Sequence, residues 1–310
     1  MLLAAAALAV CLLLLVVVFP GLLARSAWPH QAPSYALVLW QAAGLSGGLL
    51  ALEITVTVAL APAGATQLGA IAALRDGEAG PLPWWSWSAF ALAALLFARL
   101  LSVLVVSAGR TLLARRRHRV LVDLVATRNP LLAGTRVVDH DVPLAYCLPG
   151  LRPRVVVSRG VLALLREDEI RAVLAHETAH LQQRHDLVVL PFAALGATFP
   201  GLPAVRIARE QVALLVEMLA DDHAVRRYPP VVLARALYKV GASGYSGVPD
   251  GGLGALGPDP PPAQPVSEVT LRAQRLVCRP PSLPFIGRVA VLLGAAALLG
   301  LPVLGLVLPS

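Results

Sequence analysis

Four long apolar runs alternate with more polar stretches along the chain. They lie at about residues 1–23, 35–60, 87–107 and 285–308. Each is long enough to cross a bilayer, which takes about 20 apolar residues. The first run has no basic residues before it and is longer than the apolar part of a typical signal peptide, so we interpret it as an uncleaved span. The pattern predicts three transmembrane helices within residues 1–109 and a fourth within residues 285–310.

The block between the third and fourth runs, residues 110–284, has the shorter patterns of a folded α+β domain. The β-branched runs TRVVDHD (135–141) and VVVSR (155–159) predict strands, and PGLRP predicts a turn before the second. Ser158 is placed to cap a short helix. A longer helix is predicted from Glu167 onward, because apolar residues recur at helical spacing and acidic residues crowd the first turn.

Three other stretches of this block are less regular. Leu187–Pro203 is apolar but short and broken by prolines, so we expect a membrane-hugging, re-entrant or buried segment rather than a fifth span. Residues 247–265 are rich in glycine and proline, which is typical of a flexible linker. After them, SEVTLRAQRLVCR predicts a short amphipathic helix, whose Arg272 and Arg275 we expect to pack against the domain or lipid phosphates.

Composition and charge favour a membrane protein with its polar domain inside the cell. The 310 residues are 57% hydrophobic and only 14% charged, whereas about a quarter of a soluble domain is charged. Five arginines follow the third span in RTLLARRRHR (110–119), which places residues 110–284 in the cytoplasm by the positive-inside rule. We therefore expect a multi-pass plasma-membrane protein with the lipid bilayer as a partner. The net charge of +8 needs no nucleic acid to explain it, and none is expected.

Metal-binding side chains are concentrated in AVLAHETAHLQQRHD (172–186). On a helix, His176 and His180 lie one turn apart on one face and can hold one ion. Glu177 lies beside them, which completes the H-E-x-x-H pattern of two zinc ligands and a general base. The motif predicts a zinc metalloendopeptidase with one Zn²⁺ per chain and Glu177 as its catalytic residue.

A third ligand is expected on a second helix, because a catalytic zinc usually has three protein ligands and one open position. EQVALLVEMLADDHAVRR (210–227) has helical periodicity and places Glu217 and Asp221 four residues apart on one face. Glu217 is the preferred third ligand, and Glu210, seven residues earlier, is the alternative. Asp221 is placed to accept an N–H from a ligating histidine and so to fix its tautomer.

These motifs resemble those of a known group of enzymes. HETAH followed by E-M-L-A-D is similar to the membrane gluzincins, whose second helix carries Glu-x-x-x-Asp, and the block Ala145–Arg227 resembles the BlaR/MecR-type antirepressor metallopeptidases. The resemblance implies a multi-pass α-helical membrane protein with a cytoplasmic α+β gluzincin-like domain. Antibiotic-sensing members carry a penicillin-binding domain after the fourth span. This chain ends at Ser310, so we expect it to lack that sensor.

The same resemblance implies roles for individual residues. It implies that substrate adds as an extra β-strand beside one strand of the domain. The zinc ligands would be His176, His180 and Glu217, with Glu177 as base, Asp221 behind the ligands, and the substrate strand formed by Arg154, Val155, Val156 and Val157.

The expected reaction is hydrolysis of a peptide bond in a cytoplasmic or membrane-associated protein. Glu177 would take a proton from water and return it to the leaving amine. His223 and Arg226 are candidates for binding the oxyanion or substrate, or else form a basic helix end. The substrate is expected to be a transcriptional repressor or the chain itself in a regulatory pathway, and a homo-oligomer is compatible with this. The alternative function is a non-cleaving membrane receptor or scaffold that retains the zinc site.

Overall fold

The computed structural model describes residues 1–128, 135–150, 153–243 and 266–307. The predicted linker at 247–265 lies outside the described residues. The chain divides into two compact units. One contains Met1–Val103, Thr198–Ala208 and Leu283–Ser310, and the other contains Leu104–Ala197 and Arg209–Ser282.

Helices make up most of the described chain. They are α1 (Leu2–Val17), α2 (Phe19–Arg25), α3 (Trp28–Gln31), α4 (Pro33–Leu60), α5 (Gln67–Arg75), α6 (Trp84–Val125), α7 (Arg159–Leu164), α8 (Glu167–Gln182), α9 (His185–Thr198), α10 (Pro203–Ala224), α11 (Pro230–Ala242), α12 (Val266–Val277) and α13 (Phe285–Val307). The strands are β1 (Thr127–Arg128), β2 (Thr135–Val138), β3 (Ala145–Leu148) and β4 (Arg154–Ser158).

Four of the described helices are long and apolar enough to cross a membrane, judged by length and composition. They are Leu2–Arg25, Pro33–Leu60, Trp84–Val125 and Phe285–Leu304, and each contains one of the four predicted runs or most of it. The third is longer than the predicted span, because helix-favouring Leu, Ala and Arg residues continue α6 for 42 residues in all. Helix α9, at 14 residues, is too short to span, which agrees with the expectation for the Leu187–Pro203 stretch.

The first unit is held together by apolar packing among α1, α4 and α13. Leu15 of α1 and Leu50 of α4 are buried in one cluster, against which Leu298 of α13 packs. A polar contact between Gln67 and Glu53 also lies inside this unit. The amide of Gln67 is buried and donates to Glu53 at 2.7 Å, so Glu53 has a neutral partner.

The second unit is built on a sheet with the strand order β1-β2-β4-β3 among its described residues. Strands β2 and β4 are parallel, whereas β3 and β4 are antiparallel with Tyr146 opposite Val156. Val122 of α6 packs against Tyr146 and Val156 on one face of the sheet. Ala145, on the other face, packs with Val173 of α8 in a second cluster.

This topology corrects the prediction for the substrate strand. Arg154, Val155, Val156 and Val157 lie in β4, which pairs with β2 on one side and β3 on the other. A central strand has no free edge at which another strand can add. The end strand on this side of the sheet is β3, which pairs with β4 alone among the described strands.

The start of α8 is fixed by contacts that the sequence only partly predicts. The Ser158 side chain accepts a hydrogen bond from the Val161 N–H and caps α7, as predicted. Glu169 is fully buried and accepts from the Arg166 N–H at 2.8 Å and from the Lys239 ammonium of α11 at 2.7 Å. This ion pair joins α8 to α11 and sets the position of the histidine-bearing helix.

Candidate active site

Helices α8 and α10 bring together His176, His180 and Glu217. The two histidine Nε2 atoms are 3.2 Å apart, and the Glu217 carboxylate oxygens lie 3.3 Å from His176 Nε2 and 3.5 Å from His180 Nε2. Ligands at zinc–nitrogen distances of about 2.0–2.1 Å in a tetrahedral site are separated from each other by about 3.3 Å. The three contacts therefore match one face of a zinc coordination tetrahedron.

The electrostatics of this group favour a cation. Both histidines are buried, while the Glu217 side chain is 24% exposed and leaves the group open on one side. Burial lowers the pKa of His176, but Asp221 and Glu217 outweigh that effect and raise the pKa to about 10. The same negative potential attracts a metal ion. Two nitrogens, a carboxylate and an open side suit a catalytic zinc site.

The alternative ligand Glu210 is not part of this group in the described chain. Seven residues along α10 correspond to about 10 Å of helix, which is too far for Glu210 and Glu217 to hold one ion with the same two histidines. The geometry therefore favours Glu217 of the two candidates.

Glu177 lies beside the ligands and next to β3. Burial raises the pKa of its carboxyl to about 7, and the neighbouring Cys147 thiol of β3 opposes that rise. A carboxylate with a pKa near neutrality exchanges a proton readily in either direction, as a general base that later acts as an acid must do. Cys147 itself is buried, and no sequence pattern marks its proximity to Glu177.

Asp221 and Arg272 form a charged layer behind the ligands. Asp221 Oδ1 lies 3.0 Å from His176 Nδ1, although that nitrogen has no well-directed hydrogen bond. The Arg272 guanidinium of α12 donates two hydrogen bonds of 2.8 Å to the Asp221 carboxylate and lies 3.0 Å from Glu217. Burial alone would raise the pKa of Asp221, but Arg272 and His176 hold it at about 2.

The sequence pattern indicates the role of Arg272 only weakly. The amphipathic pattern placed Arg272 and Arg275 three residues apart on one helix face, and both do pack against the domain. Arg275 pairs with Asp222 at 2.8 Å. Which carboxylates they meet depends on how α12 docks after the long predicted linker, and no local pattern encodes that.

Removing the buried guanidinium should destabilise the second unit strongly. In Arg272→Met, the carboxylates of Asp221 and Glu217 lose their buried counter-charge, so we expect the free energy of unfolding to fall by about 3–5 kcal/mol. Arg275→Met is the matched control, because Asp222 is 34% exposed, and we expect a loss of at most about 1 kcal/mol. Chemical unfolding of the detergent-solubilised chain measures both, and equal losses would contradict the role given to Arg272.

The remaining predicted site residues lie at or just beyond the end of α10. His223 is half-buried, with Nδ1 3.2 Å from the Gln183 amide nitrogen. Arg226 is exposed just beyond the end of α10. His185, which follows the histidine motif in the sequence, is 1% exposed, with its Nδ1 2.9 Å from His180 Nδ1.

Together, the helix pair, the tetrahedral ligand spacing and the adjacent carboxyl define a metallopeptidase site of the gluzincin arrangement. Residues 111–223, just over a third of the chain, match the sequence model of Peptidase family M48. This segment includes both histidines, Glu177, Glu217 and Asp221. The match supports the metalloprotease prediction, and the BlaR/MecR-type resemblance stays a prediction.

Individual relatives match over a shorter stretch. The chain is similar to proteins described as "Protease HtpX homolog" from Aeropyrum pernix (47% identical over 77 residues) and Aquifex aeolicus (33% over 87 residues). A third, from Syntrophobacter fumaroxidans, is 32% identical over 88 residues. The aligned stretches cover 24–27% of this chain and 24–29% of the relatives, so the chain spans about a quarter of their length. No solved structure matches the chain.

Proposed function

We propose that the chain is an integral-membrane zinc-dependent endopeptidase. The observation that carries the proposal is the placement of Glu177 beside three ligand atoms at tetrahedral spacing. A site that held zinc for structure alone would need neither this carboxylate nor an open side. The match of residues 111–223 to a peptidase family supports the same function.

Each residue of the site has a distinct role in hydrolysis. His176, His180 and Glu217 would hold a zinc ion, which supplies Lewis-acid activation of a water molecule and of the scissile carbonyl. Glu177 takes a proton from the attacking water and returns it to the leaving amine. Asp221 would keep the His176 ring oriented with Nε2 toward Glu217, and Arg272 neutralises the excess negative charge behind the ligands.

We further propose that the substrate lies along β3 rather than β4. The Ser158 N–H donates to the Leu144 carbonyl at 2.8 Å, so the backbone groups of Leu144 face β4. Because backbone direction alternates along a strand, those of Ala145 and Cys147 face away from β4, toward the unpaired edge. Cys147 also contacts Glu177, so a peptide added at this edge would run beside the general base.

A proline on the proposed substrate strand should weaken substrate binding without unfolding the domain. Ala145→Pro removes an outward N–H from an end strand, where proline is tolerated. Loss of one hydrogen bond worth about 0.5–1.5 kcal/mol should lower kcat/KM by about 2- to 12-fold, mainly through KM. Ala145→Ser keeps the N–H and serves as the control. Equal kinetics for the two variants would argue against substrate pairing with β3.

The proposed substrate is a cytoplasmic or membrane-associated protein in a regulatory pathway, such as a repressor or the chain itself. This part rests on the resemblance to antirepressor metallopeptidases and on the arginine cluster at 110–119, which favours a cytoplasmic domain. The apolar helices support a multi-pass location in the plasma membrane.

Purified full-length chain in detergent micelles tests the proposed activity. Loaded with Zn²⁺, it should cut a denatured protein such as reduced casein into peptides identifiable by mass. A strong chelator should stop the reaction, and added Zn²⁺ should restore it. One bound zinc per chain without any cleavage of casein or of itself would favour the non-cleaving receptor instead.

A further inference from the structure

A chain of side-chain contacts leads from one proposed zinc ligand to the end of α10. His180 Nδ1 lies 2.9 Å from His185 Nδ1, and both rings are buried. His185 Nε2 lies 3.1 Å from the Gln183 Oε1 atom, and the Gln183 amide nitrogen lies 3.2 Å from His223 Nδ1. Each contact joins two polar atoms that need one donor and one acceptor.

We infer that His185 and Gln183 are positioning residues. In this inference, His185 orients the metal ligand His180, and Gln183 sets the tautomer of His223 so that its Nε2–H is offered to the substrate. The inference rests on the proposed function for the identity of the ligands. It adds a role for two residues that belong neither to the ligand set nor to the general base.

The direction of the first contact follows from metal binding. His180 Nε2 is the atom that faces His176 and Glu217, so it must be unprotonated to bind zinc. Its proton is then on Nδ1, which is a donor. His185 Nδ1 at 2.9 Å must therefore accept, and only a neutral ring with its proton on Nε2 can do so.

The next two contacts then have only one consistent direction. His185 Nε2–H donates to the Gln183 carbonyl oxygen. The amide nitrogen of Gln183 can only donate, so His223 Nδ1 accepts from it. The proton of a neutral His223 must then be on Nε2. The proton on His180 Nδ1 thus determines, through the two contacts, that His223 presents Nε2–H as a donor. His223 is half-buried, so this donor is not enclosed.

The Nδ1 atoms of the two proposed histidine ligands therefore face different partners. His176 has the carboxylate of Asp221, whose charge is balanced by Arg272. His180 has a neutral imidazole, which orients the ring without adding another negative charge to a site that already contains Glu177 and Glu217. Mutation of such an outer partner of a metal ligand typically lowers metal affinity by about 10- to 100-fold.

Zinc affinity tests the first contact without any need for cleavage. The full-length chain is titrated with Zn²⁺ against a chelating dye. We expect His185→Phe to weaken binding by roughly 10- to 100-fold. His185→Gln supplies an amide oxygen that accepts from His180 Nδ1–H, and we expect it to restore most of the affinity. Wild-type affinity in His185→Phe, or equal losses in both variants, would overturn the positioning role.

Histidine ¹⁵N NMR tests the rest of the chain of contacts. In the zinc-loaded, histidine-labelled protein, we expect the signature of an Nε2–H tautomer for both His185 and His223. Gln183→Glu can accept but not donate, so at about pH 8.5, where a free imidazole is neutral, His223 should switch to Nδ1–H. Gln182, which is exposed like Gln183, provides a matched control, and Gln182→Glu should leave the tautomer unchanged. An Nδ1–H tautomer of His223 in the wild type would overturn the inference.

Kinetics distinguish a failure of this inference from a failure of the proposed function. If casein is cleaved, Gln183→Glu should lower kcat by about tenfold, the loss of one hydrogen bond of about 1.4 kcal/mol, with unchanged zinc affinity. An unchanged kcat would exclude His223 as a substrate donor while leaving the peptidase intact. If no variant cleaves but the zinc and tautomer results hold, the peptidase proposal fails, while the orientation of His180 by His185 and the tautomer of His223 set by Gln183 stand.

Discussion

Replacing Glu177 by glutamine should nearly abolish peptide hydrolysis and leave zinc bound. The amide cannot take a proton from water, and positioned general bases typically contribute about 10²–10⁴-fold to the rate. We therefore expect kcat to fall by that factor with little change in KM, because His176, His180 and Glu217 are untouched. Steady-state kinetics on casein and the zinc content per chain measure the two effects.

The matched control for this change is Glu167→Gln on the same helix. Glu167 lies in the first turn of α8, is 77% exposed and pairs with Arg171 rather than with the site. It undergoes the same change of charge, and we expect activity close to wild type. If Glu177→Gln cleaved as fast as Glu167→Gln, the general-base mechanism would be wrong.

The second large effect is expected at Glu217, where a change to glutamine should weaken zinc binding itself. The carboxylate supplies the negative charge that the two neutral histidines lack, and its oxygens lie 3.3 and 3.5 Å from their ring nitrogens. The loss in affinity should exceed the roughly 10- to 100-fold that removal of an outer partner causes. Competition with a chelating dye measures the dissociation constant, and circular dichroism checks the fold.

Glu210→Gln is the control that separates the two candidate ligands. Both glutamates lie on one face of α10, but Glu210 is two turns from Glu217. We expect zinc affinity within about twofold of wild type for Glu210→Gln, because no zinc–carboxylate bond is lost. The opposite result, with affinity lost at Glu210 and kept at Glu217, would show that the ligand set proposed here is incorrect.

The parts of the site that the sequence predicted are those encoded by spacing within one helix. His176 and His180 are four residues apart, as are Glu217 and Asp221, so each pair shares a face whatever the rest of the fold does. The helix cap at Ser158 is also encoded locally, because it joins residues only three positions apart. The four apolar runs are also local, because length and hydropathy alone decide whether a helix can span a bilayer.

The parts that the sequence missed depend on contacts between distant segments. Which strand has a free edge depends on the parallel pairing of β2 with β4, so the β-branched run at β4 gave no sign that it is central. Arg272 meets Asp221 only because α12 docks after the long predicted linker. His185 follows His180 by five residues, and nothing in that spacing marks it as a partner of His180.

The most direct test of the central claim compares the protein N-termini in cells that express the wild type with those in cells that express Glu177→Ala. A zinc-dependent endopeptidase should create new N-termini that are absent in the variant, although both proteins bind zinc equally. Those termini would also show whether the substrate is a repressor, a membrane protein or the chain itself. Identical N-termini in both cell populations, under several membrane and cell-wall stresses, would contradict the peptidase account and favour a receptor that binds zinc without cutting.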